Sequence, residues 1–157
     1  MNIFSKMSLI LLMFSITSCT QNVLSGSEFN TNSTEVNNVN SSNYFIEVVG
    51  PSVFFGADDS LLSKEAKDTL MAQVNWLLIN KQTTAVIEGH TDEQGTREYN
   101  LALGARRAAA SRDFLVANGV EDSRLRILTF GKERPAEICS AELCYSKNRR
   151  SSTILDR

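Results

Sequence analysis

The chain is short of the residues that metal and nucleophile chemistry draw on. Its 157 residues include one histidine and three cysteines. That is too few to equip a site with several metal ligands of those types, which argues against a multi-metal enzyme. A basic excess is also missing, since 16 lysines and arginines stand against 18 acids, for a formal net charge of −2. No basic stripe gives phosphates an electrostatic footprint, and this excludes a nucleic-acid reading. Long hydrophobic runs are absent too. The apolar run "MSLILLMF" near the N-terminus falls well short of the ~20 apolar residues that a helix needs to cross a bilayer. What is present is the composition of one ordinary folded domain, 42% hydrophobic and 22% charged.

The N-terminal run reads instead as an export signal. Lys6 supplies a positive start and "MSLILLMF" an apolar centre, the pattern of a secretory signal peptide. It ends in Ile16, Thr17, Ser18 and Cys19, an aliphatic residue and two small ones before a cysteine. This resembles a bacterial lipobox, in which the cysteine is acylated and becomes the mature N-terminus. The expectation is a lipoprotein signal peptide over 1–18 and a lipid on Cys19. Thr20 follows where aspartate often directs retention at the inner membrane, so the resemblance implies the outer membrane. Each buried CH₂ is worth about 0.8 kcal/mol, and several acyl chains together anchor firmly.

Residues 20–43 contain 15 Asn, Ser or Thr in 24 positions and no apolar period. Such a segment is too polar to bury a core. We read 19–43 as the lipidated N-terminus and a flexible linker, and 44–157 as the folded domain. Within it, Val53–Phe55 reads as a strand ended by Gly56. Ala66, Leu70, Val74 and Leu77 repeat at helical spacing after a Ser63 N-cap. Residues 83–89 read as a buried strand, with His90 in the loop beyond. A second helix covers 97–119 and stops at Gly119. Residues 124–131 and the final "RRSSTILDR" read as strands joined by a long loop. The order β-α-β-α-β-β implies a sheet covered by helices on one face.

The densest chemistry lies in "GHTDEQGTREYNLALGARRA", residues 89–108. On a helical wheel Leu101, Ala105, Ala108 and Leu115 share one side, with Gly104 and Ser111 near them. Asn100, Leu103 and Arg107 form a neighbouring stripe, and Arg106 points elsewhere. Asp92 then supplies a carboxylate, Arg107 a guanidinium and Asn100 an amide. Such a set either holds a zwitterionic amino-acid end or is an Asp92–Arg107 ion pair that only pins the loop.

The run of Thr91, Asp92, Gly95, Tyr99, Asn100, Leu103, Arg106 and Arg107, with "TFGKERP" and "NRR" downstream, closely resembles the OmpA C-terminal family from about residue 50 onward. The resemblance implies an α+β fold, a β-α-β-α-β-β sandwich with a mixed sheet and helices packed on one face. It implies a non-catalytic domain, without cofactor or metal, that binds the meso-diaminopimelate of the peptidoglycan stem peptide. Asp92 takes the ammonium side and Arg107 the carboxylate, with Thr91, Asn100 and Leu103 in support. Asp58 stands on the opposite wall with Phe55 and Ala57. Members of the family often carry an aromatic where Ala57 stands, so the wall has lost packing area here. The resemblance also implies tethering of the outer membrane to the cell wall, partnership with Tol system proteins, especially TolB, and a domain facing the periplasm.

Cys139 and Cys144 lie five apart, and an oxidising exported location favours a disulfide between them. Reduced thiols are the alternative, and a zinc site lacks ligands. The "KNRR" run at 147–150 is either a basic rim near the site or a solvated strand edge. Two other functions fit parts of the pattern. A wall-acting hydrolase would use Asp58 and Asp92 as its carboxylates, and a surface-exposed lipoprotein binding a host or partner protein would use the long tether.

Overall fold

The computed structural model describes residues 38–156. The expected signal peptide, Cys19 with its lipid, and most of the expected linker lie outside the described residues. The first described helix starts slightly before the expected domain boundary at residue 44. A short helix, α1 (Ser42–Tyr44), runs into a π-helical turn over Phe45–Val49. Ser41 caps it by accepting the Tyr44 amide at 3.0 Å, and Phe45 drops into the core against Trp76, ring centroids 4.9 Å apart.

The remaining elements are β1 (Ser52–Phe54), α2 (Lys64–Ile79), β2 (Thr84–His90), α3 (Arg97–Ala117), β3 (Leu125–Gly131), α4 (Glu142–Asn148) and β4 (Arg150–Asp156). From β1 onward the expected order is present, with a 3-10 turn at Asp122–Arg124 before β3 and the seven-residue α4 in part of what reads as loop. The four strands form one sheet in the order β1-β4-β2-β3. Strands β2 and β3 run parallel, joined by the α3 crossover, while β4 lies between β1 and β2 and is antiparallel to both.

Local signals explain the helix ends. Ser63 accepts the Ala66 amide at 3.1 Å, and Thr96 accepts the Tyr99 amide at 3.2 Å, so each satisfies an otherwise orphaned N–H. At the C-terminus of α3, Gly119 adopts φ +102°. The Gly119 and Val120 amides then reach back to Val116 O and Leu115 O at 3.0 and 3.1 Å, the paired bonds of a Schellman stop. Leu70, Val74 and Leu77 of α2 and Ala108 and Leu115 of α3 meet Val53, Ala85, Ile87 and Leu125 of the sheet in one core.

Two features set the depth at which α3 sits. Gly89 of β2 meets Gly104 of α3 backbone to backbone: a Cβ at Gly89 would lie 1.8 Å from Gly104 O. This contact fixes Arg107, one turn further on, close above the end of β2. Arg124, just before β3, donates to the carbonyls of Leu77, Asn80 and Thr83, tying the end of α2 to the start of β2. Nothing in the apolar pattern signals that role.

A candidate zwitterion site at the ends of β2 and α3

Helix α3 does not present Arg107 to solvent. Its buried face is Asn100, Leu103, Gly104, Arg107, Ala108, Ser111 and Leu115, so the stripe read as a groove wall is itself the packed face. Leu101 and Ala105 are only half-buried. Arg107 is 0% exposed. Its guanidinium donates to Asp59 O at 2.7 Å, His90 O at 3.0 Å and Gly56 O at 2.8 Å. Among the described residues no carboxylate forms an ion pair with it. The expected alternative of an Asp92–Arg107 ion pair is therefore corrected, because backbone carbonyls occupy the fork. Burial pushes the guanidinium down to about 10, partly opposed by the charge of Asp92, and it remains a cation at neutral pH.

The loop at Gly56–Asp59 is shaped around this cation. Asp58 adopts φ +50°, a conformation tolerated by aspartate better than by most side chains. The turn points the Gly56 and Asp59 carbonyls at Arg107. Asp58 and Ala57 are exposed on its outer side, while Phe55 is buried with its ring 5.3 Å from the Arg107 guanidinium. The absence of an aromatic at Ala57 thus leaves the outer surface of the loop uncovered.

Asp92 belongs to Arg149. Arg149 Nη1 donates to Asp92 Oδ2 at 3.2 Å and Nε to Phe55 O at 3.2 Å. The other Asp92 oxygen accepts the Gln94 amide at 3.2 Å. Thr91 is buried, with its hydroxyl donating to Asp92 O at 3.1 Å. Asn100 spends its amide protons on Gln94 O and Thr96 O at 2.7 and 3.0 Å. It fastens the loop behind Asp92 and does not present a free donor. Leu103 is packed beneath. The structure therefore gathers Phe55, the 56–59 loop, Thr91, Asp92, Asn100, Leu103 and Arg107 in one place, and adds Arg149. Of the two readings of "KNRR", Arg149 takes the site-proximal one.

Further bonds come from the segment before β4. Cys139 and Cys144 are joined by a disulfide. Ser140 Oγ and Tyr145 OH donate to Glu93 Oε1 at 2.7 and 2.9 Å, and Glu142 pairs with Arg149. The short bridge and these bonds hold α4 against the Asp92 loop. A hollow of about 310 Å³ lined by Phe45, Ile46, Pro51 and Ile154 contains none of this charged set, and its apolar walls offer nothing to a zwitterion.

His90 is not a loop residue. It ends β2 with its ring 1% exposed and stacked on Phe130, centroids 5.6 Å apart. Its Nε2 lies 3.3 Å from Glu88 Oε2. Burial, with the charges of Arg150 and Arg134 adding to it, lowers its pKa from 6.5 to about 4. The unfolded chain therefore binds more protons than the folded one between those values, and stability rises with pH there. The contribution is fully present above pH 6.5 and lost as pH falls toward 4, by up to roughly 3 kcal/mol. Urea midpoints of wild type and His90→Phe between pH 4 and 7 are expected to show this slope in the wild type and its loss in the variant.

A family model described as the OmpA family matches residues 54–149. The chain is 51% identical over 116 residues to a peptidoglycan-associated lipoprotein of Brucella melitensis, covering 74% of this chain and 69% of that one. It is 54% identical over 107 residues to a peptidoglycan-associated lipoprotein of Mesorhizobium japonicum, covering 68% and 64%. Among solved structures, the crystal structure of the peptidoglycan-associated lipoprotein from Burkholderia pseudomallei matches with a TM-score of 0.68 at 33% identity, covering 78% of this chain and 99% of that chain.

Proposed function

This chain belongs to the OmpA family, and from that membership we propose that it is a non-catalytic lipoprotein that holds peptidoglycan through the diaminopimelate of the stem peptide. The carrying observation is the meeting of both charges in one place. The Asp92 carboxylate, 8% exposed, stands beside two nearly buried guanidiniums, Arg107 and Arg149. Diaminopimelate ends in an ammonium and a carboxylate on one carbon. Asp92 accepts from the ammonium, and the positive field behind it favours the carboxylate. No bond is made or broken. Modest affinity at each site suffices, because many copies facing one polymer bind with avidity.

The lipid on Cys19 and the polar segment that follows it complete the device. The lipid holds one end in the outer membrane, and the domain meets the wall from the periplasmic side. Partnership with the Tol system, TolB above all, and a part in envelope integrity and division belong to the same reading. Co-sedimentation of residues 20–157 with purified diaminopimelate-type peptidoglycan tests it. Wild type is expected in the pellet, and Asp92→Ala, shown folded by its melting curve, is expected to remain in the supernatant. Wild type that stays in the supernatant contradicts the reading.

A further inference from the structure

Arg149 has the makings of a carboxylate receptor that is already occupied. Its side chain is 8% exposed, yet the carboxylate it grips belongs to Glu142, whose side chain is 73% exposed. The grip is two-pronged, Nη2 on Oε1 and Nη1 on Oε2, the latter at 3.3 Å. The same Nη1 also touches Asp92, and Nε is fixed by Phe55 O. The guanidinium is thus held rigidly from behind, while its outer edge faces a surface carboxylate. Glu142 is the first residue of α4 and lies inside the loop closed by the Cys139–Cys144 bridge, so it is kept within reach of Arg149. An exposed carboxylate regains full hydration when it swings away, so releasing it costs little. Arg107 offers no comparable edge, since three backbone carbonyls engage it and it has no exposed surface.

We propose that Arg149 is the residue that meets the ligand's carboxylate, and that Glu142 is an internal placeholder which the ligand displaces. This rests on the diaminopimelate reading and moves the carboxylate contact from Arg107 to Arg149. It assigns Glu142 a role in setting affinity and Arg149 one in specificity. A ligand that carries a true carboxylate displaces Glu142 and keeps the two-pronged ion pair. A ligand whose carboxylate is amidated exchanges an ion pair for a weaker neutral contact. Arg149 therefore discriminates against amidated stem peptides, while the placeholder lowers affinity for acid and amide alike.

The test is calorimetric titration of the whole mature domain, residues 20–157, with the tripeptide L-Ala-γ-D-Glu-meso-diaminopimelate and with its side-chain carboxamide. If Glu142 fills Arg149 nine-tenths of the time, removing it raises apparent affinity by about tenfold. Glu142→Gln is expected to bind acid and amide each several-fold more tightly than wild type, with the preference for the acid kept. Glu142 is exposed, so this variant folds. Arg149→Gln, checked by its melting curve, is expected to bind the two peptides alike. The proposal is overturned if Glu142→Gln gains nothing, or if Arg149→Gln still prefers the acid, while wild type binds the acid and Asp92→Asn does not. That pattern leaves the diaminopimelate reading standing. Wild type that binds neither peptide takes down both.

Discussion

Gly89→Ala is expected to leave little or no folded protein. A Cβ at this position would lie 1.8 Å from Gly104 O and 2.5 Å from Gly104 C. Both atoms are helix backbone, so no rotamer change can relieve the clash. Strand β2 and helix α3 must separate, and with them the core contacts of Ala108 and Leu115. Overpacking a core usually costs about 1–3 kcal/mol, and a rigid backbone partner puts this case at the top of that range or beyond. A domain with only ~5–15 kcal/mol in hand loses much of it. The control is Gly56→Ala, where the nearest atom is Asp59 Cβ at an ordinary 3.5 Å and little change is expected. Denaturant midpoints of the two variants provide the comparison. The consequence reaches the site, because His90, next to Gly89, supplies one of the carbonyls that hold Arg107.

Arg107→Ala is expected to destabilise the domain by about 3–5 kcal/mol, the range for breaking a buried charged network. The carbonyls of Gly56, Asp59 and His90 would all lose their donor, and a cavity would open under Phe55. Arg107→Lys keeps the charge, but one ammonium cannot reproduce a planar fork aimed at three carbonyls. It is expected to fall between wild type and the alanine variant in urea midpoint. Peptidoglycan binding is expected to drop in both, through loss of the 56–59 loop as well as of charge. Loss of binding in an Arg107 variant is therefore no proof of ligand contact. If Arg107→Ala were as stable as wild type, the three carbonyl bonds would not be holding the loop.

The features legible from the chain were those written in period and punctuation. Ala66, Leu70, Val74 and Leu77 announced α2, Ser63 capped it, and Gly119 ended α3. The sequence of elements along the chain followed from their alternation, while the place of β4 between β1 and β2 was not written in it. Helix α4 was hidden because seven residues closed partly by a disulfide carry no helical period. The π-helical turn at Phe45–Val49 looked like any apolar run. At the site, the loop at Asp92 and the stripe of Asn100, Leu103 and Arg107 were found together. Their partners were not, because Arg107 is satisfied by backbone carbonyls and a wheel shows only side chains. Arg149 lies 57 residues from Asp92, and its pairing depends on where β4 enters the sheet. The one available signal was the basic "NRR" run. His90 was misread because the bulge between Gly89 and His90 extends the strand by a residue that looks like loop.

The central claim is that both ends of a zwitterion are recognised at Asp92 and its guanidiniums. The most direct measurement compares binding of the mature domain to two purified cell walls that differ at one stem-peptide residue. One carries meso-diaminopimelate, and the other carries lysine, which keeps the ammonium and lacks the neighbouring carboxylate. Binding to the diaminopimelate wall with loss on the lysine wall is the predicted result. Equal binding to both would contradict the account.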